Sequence, residues 1–146
     1  MIALASEIHL ESFVVLQSHY GFIQPKRTPK EPQKIFKSYT IDIDFTHQVN
    51  EDNTIHVFTK ISVNQDEKPL PGYQLFVEGA AVFSLGETEK LSENEQSNLK
   101  FYSTVSILIG YLRNTLTTLT ASAPMGPYLL PPINLTDLFS KKSDNK

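Results

Sequence analysis

The sequence predicts an α+β fold: a four-stranded antiparallel sheet with one long helix packed on one face. Three observations predict it. Apolar and polar side chains alternate through residues 39–46 and 55–63, the period of strands with one wet face. Residues 102–119 instead space apolar side chains three and four apart, the period of a helix. The chain has 146 residues, 40% hydrophobic and 20% charged, which suits one domain with a core of its own and not two. That domain is expected to span residues 1–139, with 140–146 a polar, disordered tail.

The elements follow in order. Residues 7–22 read as a strand in which Ile8 and Leu10 alternate, then slip phase at Phe13 and Val15, the mark of a bulge or bend. QPKRTPKEPQ (24–33), with three prolines and three basic residues, reads as an exposed connection. In the second strand Tyr39, Ile41, Ile43 and Phe45 face one way, Thr40, Asp42, Asp44 and Thr46 the other. QVNEDN supplies turn chemistry before a third strand of Ile55, Val57, Thr59, Ile61 and Val63. The fourth strand, Tyr73 to Leu85, sets Tyr73, Leu75 and Val77 on one face and Phe76, Glu78, Ala80 and Val82 on the other. Gly79 and its two following alanines predict close approach by another backbone. Ser92 with Glu95 matches a capping box, so the helix is expected to start near Glu93 and run to about Ala121. Pro124, Gly126 and Pro127 stop it. The tail is expected to be mostly extended, with Thr136 capping one short turn that holds Leu138 and Phe139.

Composition excludes several classes of function. There is no cysteine, hence no disulfide scaffold, thiol catalysis or cysteine-ligated zinc. Thirteen basic against sixteen acidic residues are too balanced for a nucleic-acid footprint. No apolar run has the ~18 residues of a membrane span, and no basic start precedes an apolar run. The expectation is a cytosolic protein that does not insert in membranes. Glycines are scattered, with no phosphate-cradling loop. His9, His19, His47 and His56 lack ligand spacing; His47 and His56 could meet across a hairpin, but all four read as ordinary strand-face residues. Asp42 and Asp44 read as a solvated strand face, and Asn134-Leu135-Thr136 as a sequon without meaning in a cytosolic chain. No catalytic residue, metal ligand or cofactor is expected.

What remains is uncharged surface. Between Phe101 and Thr136 the sole charge is Arg113. The helix carries an apolar stripe (Tyr102, Val105, Ile109, Leu112, Leu116, Leu119) for the sheet. A second stripe of Ser103, Ser106, Gly110, Asn114, Thr117 and Ala121 is small throughout. A mid-helix glycine costs about 1 kcal/mol and needs a packing reason. By exclusion the small stripe, with Arg113, is expected to form a subunit interface. Fifteen Phe and Tyr residues exceed what one small core needs. Phe22, Ile23, Phe36, Phe58, Phe76, Tyr128, Leu129, Leu130 and Phe139 are therefore candidates to line grooves that a flexible chain fills.

LIGYLRNTLTTLTASAPMGPYLLPPINLTDLF (108–139) resembles the SecB export-chaperone family. The resemblance rests on Tyr111 with Arg113 in the long helix, the small residues Ala121-Ser122-Ala123, and the closing run Leu130 to Phe139. LFVEGAAVFSL (75–85) and IDIDF (41–45) resemble that family's fourth and second strands. It implies a homotetramer, a dimer of dimers in which two subunits join sheets and the long helices then meet. It also implies ATP-independent binding of unfolded or nascent polypeptides and hand-over to the SecA motor; some relatives guard antitoxins instead. The family's second helix is expected to be missing here, because only seven residues follow Phe139, Lys141, Lys142 and Lys146 among them. The competing classes are a chaperone dedicated to one partner such as an antitoxin, a module for an apolar small ligand, and an enzyme with an unrecognised site.

Overall fold

The computed structural model describes residues 1–145; Lys146 lies outside the described residues. Strands β1 (Ile8–Ile23), β2 (Ile41–Val49), β3 (Thr54–Val63) and β4 (Gly72–Leu85) form one antiparallel sheet in the order β1-β4-β3-β2, so β1 and β2 are its edges. The β2–β3 and β3–β4 connections are hairpins, while the segment from β1 to β2 crosses the width of the sheet. The fold class and the four strands are as the alternation predicted. The β1 phase slip has a physical origin. Glu11 and Leu16 are each an extra residue against β4, so register shifts fall between Leu10 and Ser12 and between Val15 and Gln17. The bulges keep Ile8, Leu10, Phe13 and Val15 opposite Leu85, Phe83, Ala81 and Gly79, and the apolar set stays in phase.

One face of the sheet is covered by the long helix, built as α2 (Glu93–Asn98), a π-helical turn (Leu99–Ser103) and α3 (Thr104–Thr120). Ser92 closes the capping box: its hydroxyl accepts from the Glu95 amide at 3.1 Å, and the Glu95 carboxylate accepts from the Ser92 amide at 2.9 Å. Val105, Leu108, Ile109, Leu112 and Leu116 pack on Ile55, Val57, Ile61, Leu75, Val77 and Phe83, all of them buried. Tyr102, expected in that apolar stripe, is 47% exposed. The π turn adds a residue to the helical repeat and rotates what precedes α3 out of its phase. Gly79 does mark a close approach, but by side chains and not by backbone. A Cβ there would lie 2.7 Å from Leu112 Cδ2 and 3.2 Å from Phe13 Cε2.

Two further elements depart from the sequence reading. Residues 32–36, at the end of the proline-rich connection, form a short helix α1 (Pro32–Phe36) opened by its proline. The tail is extended only as far as Asn134: Leu135–Asp144, expected to hold one short turn and a polar end, form α4, a second helix. Its cap is Asn134, not Thr136; the Asn134 Oδ1 accepts from the Asp137 amide at 3.1 Å. Asp137 in the first turn pairs with Lys141 at 2.7 Å, and Lys141 and Lys142 sit in the last turn, the charge order that suits a helix dipole. Phe139 then docks α4, its ring centroid 4.8 Å from Phe45 and 4.3 Å from Tyr102. Lys142 donates to Asp44, holding that carboxyl below the usual range. Asp44 is therefore not merely a solvated strand carboxylate: it tethers α4.

Candidate functional site

The β1–β2 crossover and the segment joining α3 to α4 run past each other at one end of the sheet, above a cluster of aromatic rings. Phe36 stacks on Tyr73 at 5.3 Å, meets Tyr128 edge-on at 5.5 Å and lies 5.7 Å from Tyr39. Hydrogen bonds hold these rings to both connections. The Tyr39 hydroxyl donates to the Pro71 carbonyl and accepts from the Tyr73 amide, each at 2.9 Å. The Tyr73 hydroxyl donates to the Gly126 carbonyl and accepts from the Met125 amide, each at 2.7 Å. Gly72, at φ +105°, permits this: a Cβ there would collide with the Tyr39 hydroxyl and the Met125 sulfur.

The α3–α4 connector is extended because α3 reads its backbone. Arg113 donates from Nε to the Leu130 carbonyl at 3.0 Å and from Nη2 to the Pro131 carbonyl at 3.3 Å. Thr120 Oγ1 accepts from the Tyr128 amide at 2.8 Å, and Thr117 Oγ1 lies 3.1 Å from the Tyr128 carbonyl. The lone charge of the helix is thus spent on its own chain. Arg113 and Thr117, expected at the subunit interface, position the connector within the subunit. The rest of the small stripe does face outward: Ser106, Asn114 and Ala121 are exposed, Ser103 and Gly110 half-buried, and nothing lies within 4 Å of a Cβ placed on Gly110.

Between crossover and connector lies an apolar groove of about 390 Å³. Phe36, Tyr39 and Ile41 form one wall and Met125, Leu129 and Pro131 the other, with Gln33 and Lys37 at its rim. Of the residues proposed from sequence, Phe36 and Leu129 line it, and Leu129 is 68% exposed. Tyr128 and Leu130 are 1% and 2% exposed, so they are core beneath the groove and not its surface. The connector is pinned at each of their carbonyls, which turns both side chains inward. Phe22 is half-buried with its ring 6.2 Å from Tyr73, and Ile23 is half-buried beside it in β1.

Phe58 and Phe76 do not join this groove. They point to the uncovered face of the sheet, because their neighbours Val57, Thr59, Leu75 and Val77 point to the helix. Phe139 packs on Phe45 and Tyr102 and lines neither that groove nor a second, more polar one of about 670 Å³ between β2 and α4, floored by Ile41, Ile43 and Phe45. His47 and His56 do not meet: His56 is opposite Gln48 on the uncovered face, while His47 turns to the helix side, 3.2 Å from Thr104 Oγ1. The sequence reading missed Tyr39, Met125 and Pro131 as groove residues. Tyr39 was visible as the first member of the β2 alternation; nothing local marks the other two.

Burial pushes the phenols of Tyr39, Tyr73 and Tyr128 up, Tyr128 to about 12, with Tyr39 adding to the shift there. The Tyr128 hydroxyl has no hydrogen-bond partner among the described residues. Because these folded-state values lie above the unfolded one near 10, the stability they confer is whole below pH ~10 and is lost as pH rises toward ~12. Tyrosinate absorbance and near-ultraviolet circular dichroism should therefore change together above pH ~10, with ionisation completed only as the aromatic cluster opens.

Among the described residues no group of three or more His, Cys, Asp or Glu could hold a metal ion. Among the described residues no helix is long and apolar enough to cross a membrane. The family model described as SecB, preprotein translocase subunit SecB, matches residues 22–146. The uncharacterized protein MJ0357 of Methanocaldococcus jannaschii is 30% identical over 132 residues, covering 88% of this chain and 81% of that protein. Among solved structures, the Mycobacterium tuberculosis Rv1957 SecB-like chaperone, in complex with a ChAD peptide from the Rv1956 HigA1 antitoxin, shares the fold. Its TM-score is 0.57 at 19% identity, over 87% of this chain and 91% of that one.

Proposed function

The chain belongs to the SecB family, a non-enzymatic one, and on that premise we propose that it is an ATP-independent holdase whose crossover–connector groove binds unfolded or nascent polypeptide segments. The observation that carries this reading is the groove itself: an apolar trough with half-buried Phe36 on one wall and exposed Leu129 on the other. The solved SecB-like chaperone that shares this fold holds a peptide, which supports a polypeptide occupant. The family's description as a preprotein translocase subunit supports export precursors as clients and the SecA motor as their recipient. That antitoxin peptide favours the second reading, a chaperone dedicated to one partner.

The mechanism follows from weak contacts. A client side chain entering the groove gains roughly 25 cal/mol for each Å² of apolar surface buried, so one groove binds weakly. Four subunits would convert such contacts into avidity. Support for assembly comes from two surfaces. Edge strand β1 exposes Val14, Val15 and Leu16, an apolar stretch of sheet edge available to a second sheet. The outer face of α3 is small and uncharged at Ser106, Gly110 and Asn114. Binding to the unfolded client alone slows its folding by mass action, without nucleotide.

The test is refolding of a slow-folding client at one tetramer per client. Wild-type protein should slow recovery several-fold, and Leu129→Asp should abolish the delay while leaving the chain folded, since Leu129 is 68% exposed. Unchanged recovery with wild-type protein would rule the holdase out.

A further inference from the structure

The crossover that forms one wall of the groove has a charge opposite to that of the molecule. Residues 24–38 contain five basic side chains and one acidic one, whereas the rest of the chain contains eight basic and fifteen acidic residues. The overall charge of −3 conceals this division. Lys26, Arg27, Lys30, Lys34 and Lys37 are all exposed. The single acid, Glu31, is taken up by Lys34 at 2.5 Å, while among the described residues Lys30 and Lys37 hold no ion pair. Lys37 lines the groove, and no carboxylate does. The opposite wall, residues 121–134, carries no charge at all, so nothing there offsets the positive field. The groove between β2 and α4 differs: Asp42, Asp44 and Asp137 share it with Lys141 and Lys142, and two of those acids are already ion-paired.

We propose that the crossover groove selects extended polypeptide segments in which one or two large apolar residues are flanked by Asp or Glu. The apolar residues fill the trough between Phe36 and Leu129, and the flanking carboxylates lie within a Debye length of the crossover lysines. Electrostatic complementarity of this kind sets which segment is chosen and how fast it is captured, more than how tightly the apolar part is held. This preference rests on the holdase reading above.

Calorimetric titration of the full-length protein with three 12-residue peptides tests it. The peptides share one Leu-Phe-Leu centre and differ only in flanks of Glu, Ser or Lys. At ~20 mM salt the Glu-flanked peptide should bind about tenfold tighter than the Lys-flanked one, with Ser between them. At ~0.5 M salt the spread should shrink below about threefold. In the doubly substituted Lys30→Glu, Lys37→Glu protein the crossover carries three basic and three acidic side chains, so the spread at low salt should collapse below about threefold. Equal affinities at low salt, tighter binding of the Lys-flanked peptide, or a spread that survives the double substitution would each overturn the preference while leaving the holdase intact. No binding by any of the three would overturn both.

Discussion

Gly79→Ala is expected to destabilise the chain by about 1–3 kcal/mol, although alanine is the better residue for an ordinary strand interior. The reason is local crowding. The new Cβ would lie 2.7 Å from Leu112 Cδ2 and 3.2 Å from Phe13 Cε2, and Leu112 is fully buried, so moving it displaces packed neighbours. Leu112→Ala alone should cost about 2–5 kcal/mol by leaving a cavity where α3 meets β4. The two changes occupy the same space, so the double variant should cost less than the sum by at least about 1 kcal/mol. Urea unfolding of the four chains measures this coupling. Additive costs would mean that α3 does not sit on Gly79 as closely as described.

Gly110→Glu carries the largest expected effect on function. Within one subunit the substitution is benign: no atom lies within 4 Å of the added Cβ, and replacing a mid-helix glycine by glutamate relieves about 0.5 kcal/mol of unfavourable propensity. Thermal stability of the isolated subunit should hold or rise. In the proposed tetramer the same position lies where two long helices meet about a two-fold axis, and a carboxylate there faces its own copy. Light scattering should find a tetramer in the wild-type protein and a dimer in the variant, and client affinity should fall at least tenfold as avidity is lost. Equal masses for the two proteins would remove α3 from the assembly. The opposite signs of the two effects, on subunit stability and on assembly, separate an interface from a misfolded variant.

The candidate site was legible in part, and the limits are physical. Leu129 could be picked out because an apolar side chain in a proline-rich connection has no strand or helix of its own to bury it, and Phe36 because the connection before it is polar and proline-rich. Tyr128 and Leu130 looked the same in sequence, yet they are core. What separates Leu129 from its two neighbours is which carbonyls Arg113 and Thr117 hold, and those partners lie 11 to 17 residues away. Phe58 and Phe76 face away from the apolar side of their strands, which places them across the sheet from the groove. Arg113 was noticed as an isolated charge; its role as the clasp of the connector depends on an approach that no local pattern records.

The sequence by itself determined the four strands and the long helix, because periods of two and of 3.6 are local properties of the chain. It also determined that residues 101–136 have almost no charge with which to face water. Only the tertiary structure decided that residues 135–144 are helical. Ten residues with a polar majority do not sustain a helix alone, and α4 is stabilised where Phe139 meets Phe45 and Tyr102 and Lys142 meets Asp44, 98 residues away. Likewise, only packing between the crossover and the connector creates the groove. Its two walls are some 90 residues apart in sequence, and contact between them is a property of the closed fold.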